Sequence, residues 1–489
     1  MTVNCIFSYL ITEDPCFFSE LPQKRQLGKY TLHTDITTPF SCAVKGNVAC
    51  ALFGLAVNVI SGNSDSIVGE IVEKCKSIQD VIEYEAYLGG KYILLFKNEE
   101  QYYLQGDATC SIPCFYNTEG AFVCASNDQY IVKTKKFCED DEYRAIRRCG
   151  DISQAMPYDI TSYREIKQLI PNHYLDINNQ KAIRFINAQT KQKIVSVDKA
   201  VEITLPMIDN ILAFYLQNYK IYCPITSGRD SRVVLSFLIK NKAQFDCYTI
   251  KHPEHNNTTQ DIVIPIELCK KEHLTHRLVE DVVVSEPLTD EVNNILGEGN
   301  YSPRTLRIAQ TIKENFGDGA IINGDIIGQV GKCSLHRDIP ALFATPFYFR
   351  CKLHNYSREA KKQLKIWLKE IKQTGEKINS FDLFSIENRM GRWAGQTNLL
   401  YNTIGQADLN IFNSRSIIYV WTAVRRKERK NSDLHTTLIK GTCTSLLDTP
   451  FEKDEGILVK LSKSTWLAYL LSSYAKFFLE KRKYQRRKT

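Results

Sequence analysis

Glycine and proline are scarce in this chain of 489 residues, with 24 and 15 copies. This scarcity excludes a collagen-like protein and a linker-rich, low-complexity one. Apolar residues are in ordinary supply, at 43% with 11% aromatic, so the chain can bury cores and is not intrinsically disordered. A length of 489 residues exceeds what one core usually serves and predicts about two or three domains.

The chain also has little net charge outside its C-terminal tail. Lys and Arg number 63 and Asp and Glu 55, which gives a formal charge of +8, and six positive charges lie in the basic tail at 481–489. The rest of the chain therefore carries only about +2. A body this close to neutral offers no broad basic surface, so no nucleic-acid partner is expected.

Long apolar runs are missing as well. The most apolar stretch, 464–478, contains Ser472, Ser473 and Lys476 and is too short and polar to span a bilayer, so no stable membrane insertion is expected. The first ten residues lack the features of a signal peptide, and the interpretation is a soluble, cytoplasmic protein. Two alternatives stay open for the C-terminal stretch: a helix docked on the body with a solvated tail, or a helix lying on an anionic membrane.

The 16 cysteines are scattered from Cys5 to Cys443 and form no CxxC pair. Small oxidised domains concentrate their cysteines, so this spread predicts free, mostly buried thiols in a reducing compartment. One group of cysteine and histidine residues lies within 27 positions and raises the alternative of a zinc site; it comprises Cys247, His252, His255, Cys269 and His273. Its spacing matches no common finger, which favours ordinary core thiols and surface histidines.

The pattern of predicted secondary structure differs between the two halves of the chain. The first 130 residues read as short strands, at 47–60, 91–97, 102–106 and 121–125, and predict a sandwich of sheets. After about residue 190 a strand, a polar turn, a helix, a strand and a helix follow one another, which predicts a doubly wound parallel sheet, and from 357 the chain reads as mostly helical. The fold class is thus α+β followed by α/β, with domains predicted at 1–185 and 186–489.

The most informative segment is the polar turn at 222–232, YCPITSGRDSR, which joins a strand directly to a helix. Small hydroxylated residues and a glycine at such a turn let backbone N–H groups reach phosphate oxygens beside the helix N-terminus. Asp230 then lies where a carboxylate can hold a divalent cation on those phosphates. The alternative is a tight strand-to-helix turn in which an aspartate only caps the helix.

This turn resembles the pyrophosphate loop, serine-glycine-glycine-any-aspartate-serine, of the ATP pyrophosphatases such as the asparagine synthetases. Thr226 takes the first serine position and Gly228 the second glycine, while Asp230 and Ser231 match outright. Ser227 departs by replacing the first glycine. The resemblance runs in outline along nearly the whole chain, although only this loop is specific. It implies a degenerate glutaminase-like sandwich of the N-terminal-nucleophile type, followed by an ATP-pyrophosphatase domain with a helical C-terminal part.

The resemblance also implies the residues of a nucleotide site. Loop residues 226–231 would bind ATP and pyrophosphate, with Ile225 and Ile250 against the nucleotide. The segment AIINGD at 320–325 is similar to a later strand and its turn, so Asn323 and Gly324 would offer backbone contacts and Asp325 would be the catalytic acid position.

The implied cofactors are ATP and Mg²⁺, with Asp230 as the metal ligand and Arg229 neutralising pyrophosphate. The family carries a second metal ligand three residues after the acid, in an Asp-Glu pair, where this sequence has Gly328 and Gln329. A helix with Arg389 offers a further candidate for a carboxylate or phosphate, with salt bridges as the alternative.

The resemblance implies an ATP-dependent ligase that activates a carboxylate as an acyl-adenylate, releases pyrophosphate and forms an amide with an amine. Its substrates would be a small-molecule or peptide carboxylate and an amine. Glutamine is not the expected nitrogen donor, because the chain starts Met1-Thr2-Val3-Asn4-Cys5 where a leading cysteine is needed, and the family's glutamine-pocket signatures are absent. The alternatives are a degenerate binding or scaffold protein and, more remotely, a sulfur-transfer or tRNA-modifying relative.

Overall fold

A computed structural model describes residues 6–14, 18, 20–148, 156–187, 193–253, 255, 256, 258–333, 338–451 and 465–486. Their strands are β1 (Tyr9–Thr12), β2 (Gln23–Leu27), β3 (Tyr30–Thr34), β4 (Phe40–Lys45), β5 (Val48–Asn58), β6 (Leu88–Asn98), β7 (Gln101–Gly106), β8 (Phe115–Asn117), β9 (Val123–Ala125), β10 (Ile166–Gln168), β11 (His173–Asp176), β12 (Lys181–Arg184), β13 (Ile221–Pro224), β14 (Phe245–Lys251), β15 (His276–Glu280), β16 (Ala320–Ile322) and β17 (Ala407–Leu409).

The same residues form helices throughout. The α-helices are α1 (Ile67–Lys74), α2 (Ile78–Glu85), α3 (Asp128–Thr134), α4 (Asp141–Arg148), α5 (Val197–Asn218), α6 (Arg229–Lys240), α7 (Gln260–Lys271), α8 (Glu286–Leu296), α9 (Pro303–Phe316), α10 (Pro346–Lys352), α11 (Arg358–Thr374), α12 (Ser380–Leu383), α13 (Gly395–Thr403), α14 (Arg415–Ala423), α15 (Arg426–Lys430), α16 (Asp433–Thr442) and α17 (Trp466–Arg486). π-Helical turns occupy Ile327–Gly331 and Phe384–Ala394, and 3₁₀ turns occupy Ala341–Phe343 and Thr444–Leu447. The mixture of strands and helices confirms the mixed α and β class.

Two six-stranded antiparallel sheets form the N-terminal half. Their orders are β10-β8-β9-β1-β3-β2 and β12-β11-β7-β6-β5-β4. The sheets pack face to face through aromatic rings: Tyr9 lies 5.3 Å from Phe53, and Tyr30 meets Tyr102 edge-on at 4.8 Å. This is the sandwich that the strand pattern predicts, because alternate side chains of each strand enter the space between the sheets.

The opposite face of the second sheet is buried too. On β5, Phe53 and Leu55 point into the sandwich, whereas Leu52 and Ala56 belong to a separate apolar cluster with α1. The strand β6 is buried from Leu88 to Phe96, which explains why its sequence is almost continuously apolar. On the outer face of the first sheet, α3 packs over β1 and β9, so helices cover both sides of the sandwich.

The third sheet is entirely parallel and has the order β15-β14-β13-β16-β17. Its first strand, β13, lies in the centre; the chain builds outward through β14 and β15 on one side, then returns to β16 and β17 on the other. This order is that of a doubly wound sheet, as the alternating strands and helices after residue 190 predict. The sheet reverses its winding between β13 and β16, which creates a crevice at the carboxyl ends of these two strands.

The two halves meet through a buried polar network as well as a shared apolar cluster. Arg415, at the start of α14, forms an ion pair with Glu85 of α2, and both side chains are almost completely buried. Its guanidinium also donates to the carbonyl of Gly106 at 3.0 Å and to Asn172 at 3.2 Å. The predicted division at 185/186 stays a prediction; β12 ends at Arg184 and α5 begins at Val197.

Cysteines in the described residues are all free, and most of them are buried, as their scattered positions predict. Cys247 and Cys269 of the zinc alternative are buried side by side, and the described part of the chain has no group of three His, Cys, Asp or Glu residues able to hold a metal ion. Among the helices in the described ranges, none is long and apolar enough to cross a membrane.

We predict that the Arg415→Met substitution lowers the free energy of unfolding by about 3–5 kcal/mol, because it leaves the Glu85 carboxylate buried without its cation. The matched control is Lys199→Met, which breaks an exposed ion pair with Glu202 and should change stability by less than about 1 kcal/mol. Urea denaturation followed by circular dichroism measures both. Equal effects of the two substitutions would show that the buried pair does not hold the halves together.

Candidate functional site

The predicted nucleotide loop and the predicted acid turn meet at the crevice of the parallel sheet. Residues 225–231 leave the carboxyl end of β13, and residues 323–325 leave the carboxyl end of its neighbour β16. The two segments touch, since a Cβ atom added to Gly324 would lie 2.9 Å from the backbone carbonyl of Asp230. Glycine is therefore needed at 324 for the close approach of the two backbones.

The loop after β13 is held in a tight turn by its own hydroxyl groups. The N–H of Thr226 donates to the Ser231 hydroxyl at 3.2 Å, and the N–H of Gly228 donates to the Thr226 hydroxyl at 3.2 Å. Gly228 is the N-cap residue of α6, and no side chain makes a capping hydrogen bond there. The first amide groups of this 12-residue helix therefore face the crevice without a side-chain acceptor, which suits an anion.

Ser227, which replaces a glycine of the family pattern, points away from the mouth of the loop. Its side chain is fully buried, and both its N–H and its hydroxyl donate to the Asp261 carboxylate at the start of α7, the N–H at 2.9 Å. The serine side chain thus occupies the space behind the loop. The turn keeps its shape by anchoring to a neighbouring helix, so the departure does not obstruct the crevice.

Asp230 is paired with a histidine that the sequence did not indicate. The Nε2 atom of His435, on α16, lies 2.8 Å from Asp230 Oδ1, and the imidazole is completely buried while the Asp230 side chain is 40% exposed. Burial raises the pKa of Asp230, but the hydrogen bond and charge of His435, with Lys332 and Arg229, outweigh it, so the pKa ends below its ordinary value. Asp230 is therefore ionised at neutral pH.

The other carboxylate oxygen of Asp230 faces Gly328, where the family pattern has its second metal ligand. A Cβ atom at 328 would lie 2.6 Å from Asp230 Oδ2. The aspartate and the histidine occupy the region that a second carboxylate would need. The position of Asp230, held by His435, therefore leaves no space for an acidic side chain at 328.

These residues fit a magnesium ion only in a limited way. Asp230 Oδ1 is engaged by His435, and Oδ2 has no hydrogen-bond partner among the residues that the structure describes. The described residues contain no group of three acidic, histidine or cysteine ligands for a metal. Mg²⁺ takes six oxygen ligands and accepts one carboxylate when phosphates and water supply the others. The geometry therefore fits an ion that arrives on a polyphosphate and does not fit a resident metal centre.

Asp325 lies among other carboxylates at the same edge. Burial and the negative charges of Asp408 and Asp230 raise its pKa to about 7, while Arg389 opposes the shift. Asn323 links the group: its side chain donates to Asp408, and its Oδ1 accepts from the N–H of Asp325 at 3.0 Å. A carboxyl group that titrates near neutral pH is suited to accept a proton from an attacking amine.

The remaining predicted residues, Ile225, Ile250 and Arg229, lie near the carboxyl ends of β13 and β14 and differ in how deeply they are buried. Ile225 is buried and its N–H donates to the carbonyl of Tyr248 on β14, while Ile250 is half-buried two residues further along β14. Arg229, half-buried at the start of α6, stacks over the ring of Phe451 at 4.4 Å. The predicted residues thus lie on the two loops or in the first turns of the helices that follow them, except that Ile250 is on the neighbouring strand β14.

Two arginines near the site, one in the loop segment and one on the helix of Arg389, have structural roles. Arg232 is buried and donates to the carbonyls of Leu446, Thr449 and Pro450, so it holds the segment after α16 instead of facing a ligand. Arg392 is buried as well and donates to the carbonyls of residues 156 and 160.

Sequence reasoning missed His435 and Asp408 at this site, and it gave Asp261 no role there. Each belongs to an element that is remote in sequence from the loop, and His435 is 205 residues from Asp230. Only Asp408 carried a local signal, since it is a polar residue in the middle of a short apolar strand next to β16.

Comparisons with known proteins add little to this geometry. No family model matches the chain, and no curated protein matches it. Among solved structures, an NMN synthetase from Francisella tularensis is weakly similar, with 10% sequence identity, a TM-score of 0.20, and coverage of 37% of this chain and 74% of its own. A likeness of this size carries no argument about fold or activity.

We predict that replacing Asp325 by Asn changes how stability depends on pH. Because the folded-state pKa is raised from 3.8 to about 7, the folded protein binds more protons than the unfolded one between these values. Stability associated with the protonated group is fully present below about pH 4 and is lost as the pH rises through about 7. Asp325→Asn should therefore stabilise the protein relative to the unmodified chain as the pH rises from 4 to 7, and no further above 7.

Thermal unfolding at a series of pH values measures this difference. The matched control is Asp318→Asn, at the opposite end of β16, whose exposed carboxylate has a lowered pKa because of Lys313. This control should shift stability in the opposite direction or very little. A pH-independent difference for Asp325→Asn would contradict the raised pKa.

Proposed function

We propose that this protein is an ATP-dependent ligase that activates a carboxylate as an acyl-adenylate, releases pyrophosphate and joins the acyl group to an amine. The observation that carries the proposal is the contact between the loop at 226–231 and the turn at 323–325. This contact places two features in one crevice. One is the start of α6, whose amide groups are not capped by a side chain and can bind an anion; the other is the carboxyl group of Asp325, which has a pKa of about 7. Such a combination suits phosphate binding next to proton transfer.

The loop would bind the phosphates of ATP. Thr226, Gly228 and Ser231 have small side chains or none, so phosphate oxygens could approach the backbone of the loop. Ser227 anchors the loop from behind through Asp261. Ile225 and Ile250 would lie against the base and ribose, on the β13 and β14 side. Asp230 would give one oxygen ligand to a magnesium ion bound to the phosphates, and that ion would offset charge on the leaving pyrophosphate.

The second half of the reaction would use the turn after β16. The backbone of Asn323 and Gly324 would hold the acyl-adenylate, and Asp325 would accept the proton that the amine loses when it attacks the acyl carbon. Its pKa near 7 is matched to this task, because a base with an ordinary aspartate pKa would be far weaker. Arg229 would neutralise pyrophosphate from the start of α6.

The nitrogen donor that we propose is an amine other than glutamine: free ammonia, an amino group on a second substrate, or an internal amine that closes a ring. This proposal is supported by the absence from the sequence of the arginine-histidine-arginine-glycine and asparagine-glycine-glutamate signatures of the family's glutamine pocket. The acid and the amine would be small molecules or peptides, and the free thiols of the described residues support a reducing compartment such as the cytoplasm.

A second candidate is a binding or scaffold protein that keeps the fold but makes no adenylate. The specific observation in its favour is the arrangement around Asp230, in which His435 takes one carboxylate oxygen and Gly328 replaces the second acid. A protein that never binds a metal–nucleotide complex would tolerate both features.

Asp230→Asn separates these candidates. We expect the substitution to weaken Mg²⁺-dependent binding of a non-hydrolysable ATP analogue by at least about tenfold, because it removes the one charged oxygen that faces the metal–phosphate complex. Calorimetric titration of the analogue with and without Mg²⁺ measures this, and pyrophosphate release with mixtures of acids and amines gives a second readout. Asp318→Asn, two residues before the start of β16 and so at the opposite end of that strand from the site, is the control and should bind like the unmodified protein.

If Asp230→Asn binds the analogue as strongly as the unmodified protein, Asp230 does not contribute to nucleotide binding. If the unmodified protein binds no analogue and releases no pyrophosphate, the scaffold candidate replaces the ligase.

A further inference from the structure

The C-terminal helix α17 has one apolar face that holds it to the body of the protein. Leu470 and Phe477 are buried on this inner face. The Phe477 ring lies 5.2 Å from Tyr356 and 5.9 Å from Phe347 of α10. The helix is therefore a docked element of the fold, which supports the first of the two alternatives for this stretch.

The same helix has a second apolar face that the body does not cover. Leu467, Leu471, Phe478 and Leu479 are 48%, 57%, 50% and 59% exposed. Leu471 follows Leu467 by four residues, and Phe478 and Leu479 follow Leu471 by seven and eight. This spacing places all four along one side of an α-helix, with the exposed Ala475 between them. Four large apolar side chains aligned on one exposed face form a contiguous patch, whereas singly scattered ones would need no explanation.

Positive charge continues this outer face towards the C-terminus. Arg482 and Lys483 are exposed and lie four residues after Phe478 and Leu479, so they follow the apolar side chains along the same side. The sequence from 465 to 489 contains seven Lys and Arg residues and a single acid, Glu480, which pairs with His354 at 2.5 Å and with Lys476 at 3.8 Å. The segment is therefore strongly cationic next to an exposed apolar stripe.

We propose that the outer face of α17 binds the surface of an anionic phospholipid bilayer, with the helix lying parallel to the membrane. Leu467, Leu471, Phe478 and Leu479 would enter the boundary between headgroups and acyl chains, and the basic residues would meet acidic headgroups. The helix would not span the bilayer. Its inner face would stay packed on α10, so the protein would be held at the surface as a folded whole.

Charge argues against a second copy of this chain as the occupant. A symmetric contact pairs the same patch on both subunits, and here it would bring two segments of net charge about +6 together with only one acid on each side. An anionic bilayer attracts the same charge. Each basic residue close to such a surface strengthens binding by about fivefold.

Co-sedimentation of the full chain with vesicles tests the proposal. The vesicles contain phosphatidylcholine alone or with about 30% phosphatidylserine, the range in which anionic leaflets attract basic segments. We expect the unmodified protein to bind the anionic vesicles at least about tenfold more strongly than the neutral ones, and salt to weaken this binding. No binding, or equal binding to both vesicles, would overturn the proposal.

Two variants and one control locate the surface. Leu471→Glu with Phe478→Glu should reduce binding by at least about tenfold, because charged residues replace the inserted side chains. Arg482→Ser with Lys483→Ser should reduce it by about 25-fold at low salt, and both positions are exposed, so the fold is not affected. Val283→Glu, at a 91% exposed apolar residue elsewhere, should leave binding unchanged.

Circular dichroism melting of each variant checks that α17 remains docked. Variants that bind like the unmodified protein would exclude this face as the membrane contact. Sedimentation equilibrium gives a further decision: a dimer that dissociates in the glutamate variant, together with absent vesicle binding, would mean that a second copy covers the face and that the proposal is wrong.

Discussion

Parallel pairing between β13 and β16 is the constraint on which the candidate site depends. These strands are about 100 residues apart in the chain, and they pair through Ile221 with Ala320 and Tyr222 with Ile321. Because parallel strands end at the same edge of a sheet, this short ladder brings the loop at 226–231 against the turn at 323–325. Without it, the loop would be one of several strand-to-helix turns with no chemistry beside it.

The same pairing has an electrostatic cost. Asp230 and Asp325 follow β13 and β16, and Asp408 is the middle residue of the neighbouring strand β17. Burial raises the pKa of Asp325, and the negative charges of Asp408 and Asp230 raise it further. Cations from separate parts of the chain offset this repulsion. Lys91 belongs to the N-terminal sandwich, yet its buried ammonium donates to Asn398 at 2.9 Å, to Asn402 at 3.0 Å and to the carbonyl of Asp408 at 3.2 Å. The N-terminal half therefore supplies a buried positive charge next to Asp408.

The sequence predicted those elements whose signal is local. The strands predicted at 47–60, 91–97 and 102–106 are β5, β6 and β7, and their observed bounds differ from the predicted ones by at most three residues. The short helices α1 and α2 were missed, because eight residues between strand-like segments give too little periodicity to detect. The helix predicted after the polar turn, α6, begins at Arg229, so its first turn lies inside the polar segment at 222–232.

For the candidate site, the sequence predicted the backbone and missed the side-chain partners. The loop was indicated by its own residues, and Asp325 by the resemblance of the segment at 320–325 to the family's later strand and turn. The partners of Asp230, Ser227 and Asn323 lie 205, 34 and 85 residues away in the chain. Such contacts follow from how helices and strands pack, and no pattern along the sequence encodes them. The zinc alternative was wrong for a similar reason: its residues are close in sequence, but packing does not gather them around one point in the described residues.

The contact between Asp230 and His435 bears on both proposed roles of the protein. His435 is completely buried, and its second ring nitrogen, Nδ1, finds no protein partner among the described residues. A buried polar atom without a hydrogen bond costs stability, and a protein that used Asp230 for nothing would be more stable with an apolar side chain on α16. The arrangement keeps that cost and holds Asp230 ionised at the crevice, with one oxygen towards the histidine and the other towards Gly328. An aspartate fixed in this way is suited to a single cation that brings its own phosphate ligands.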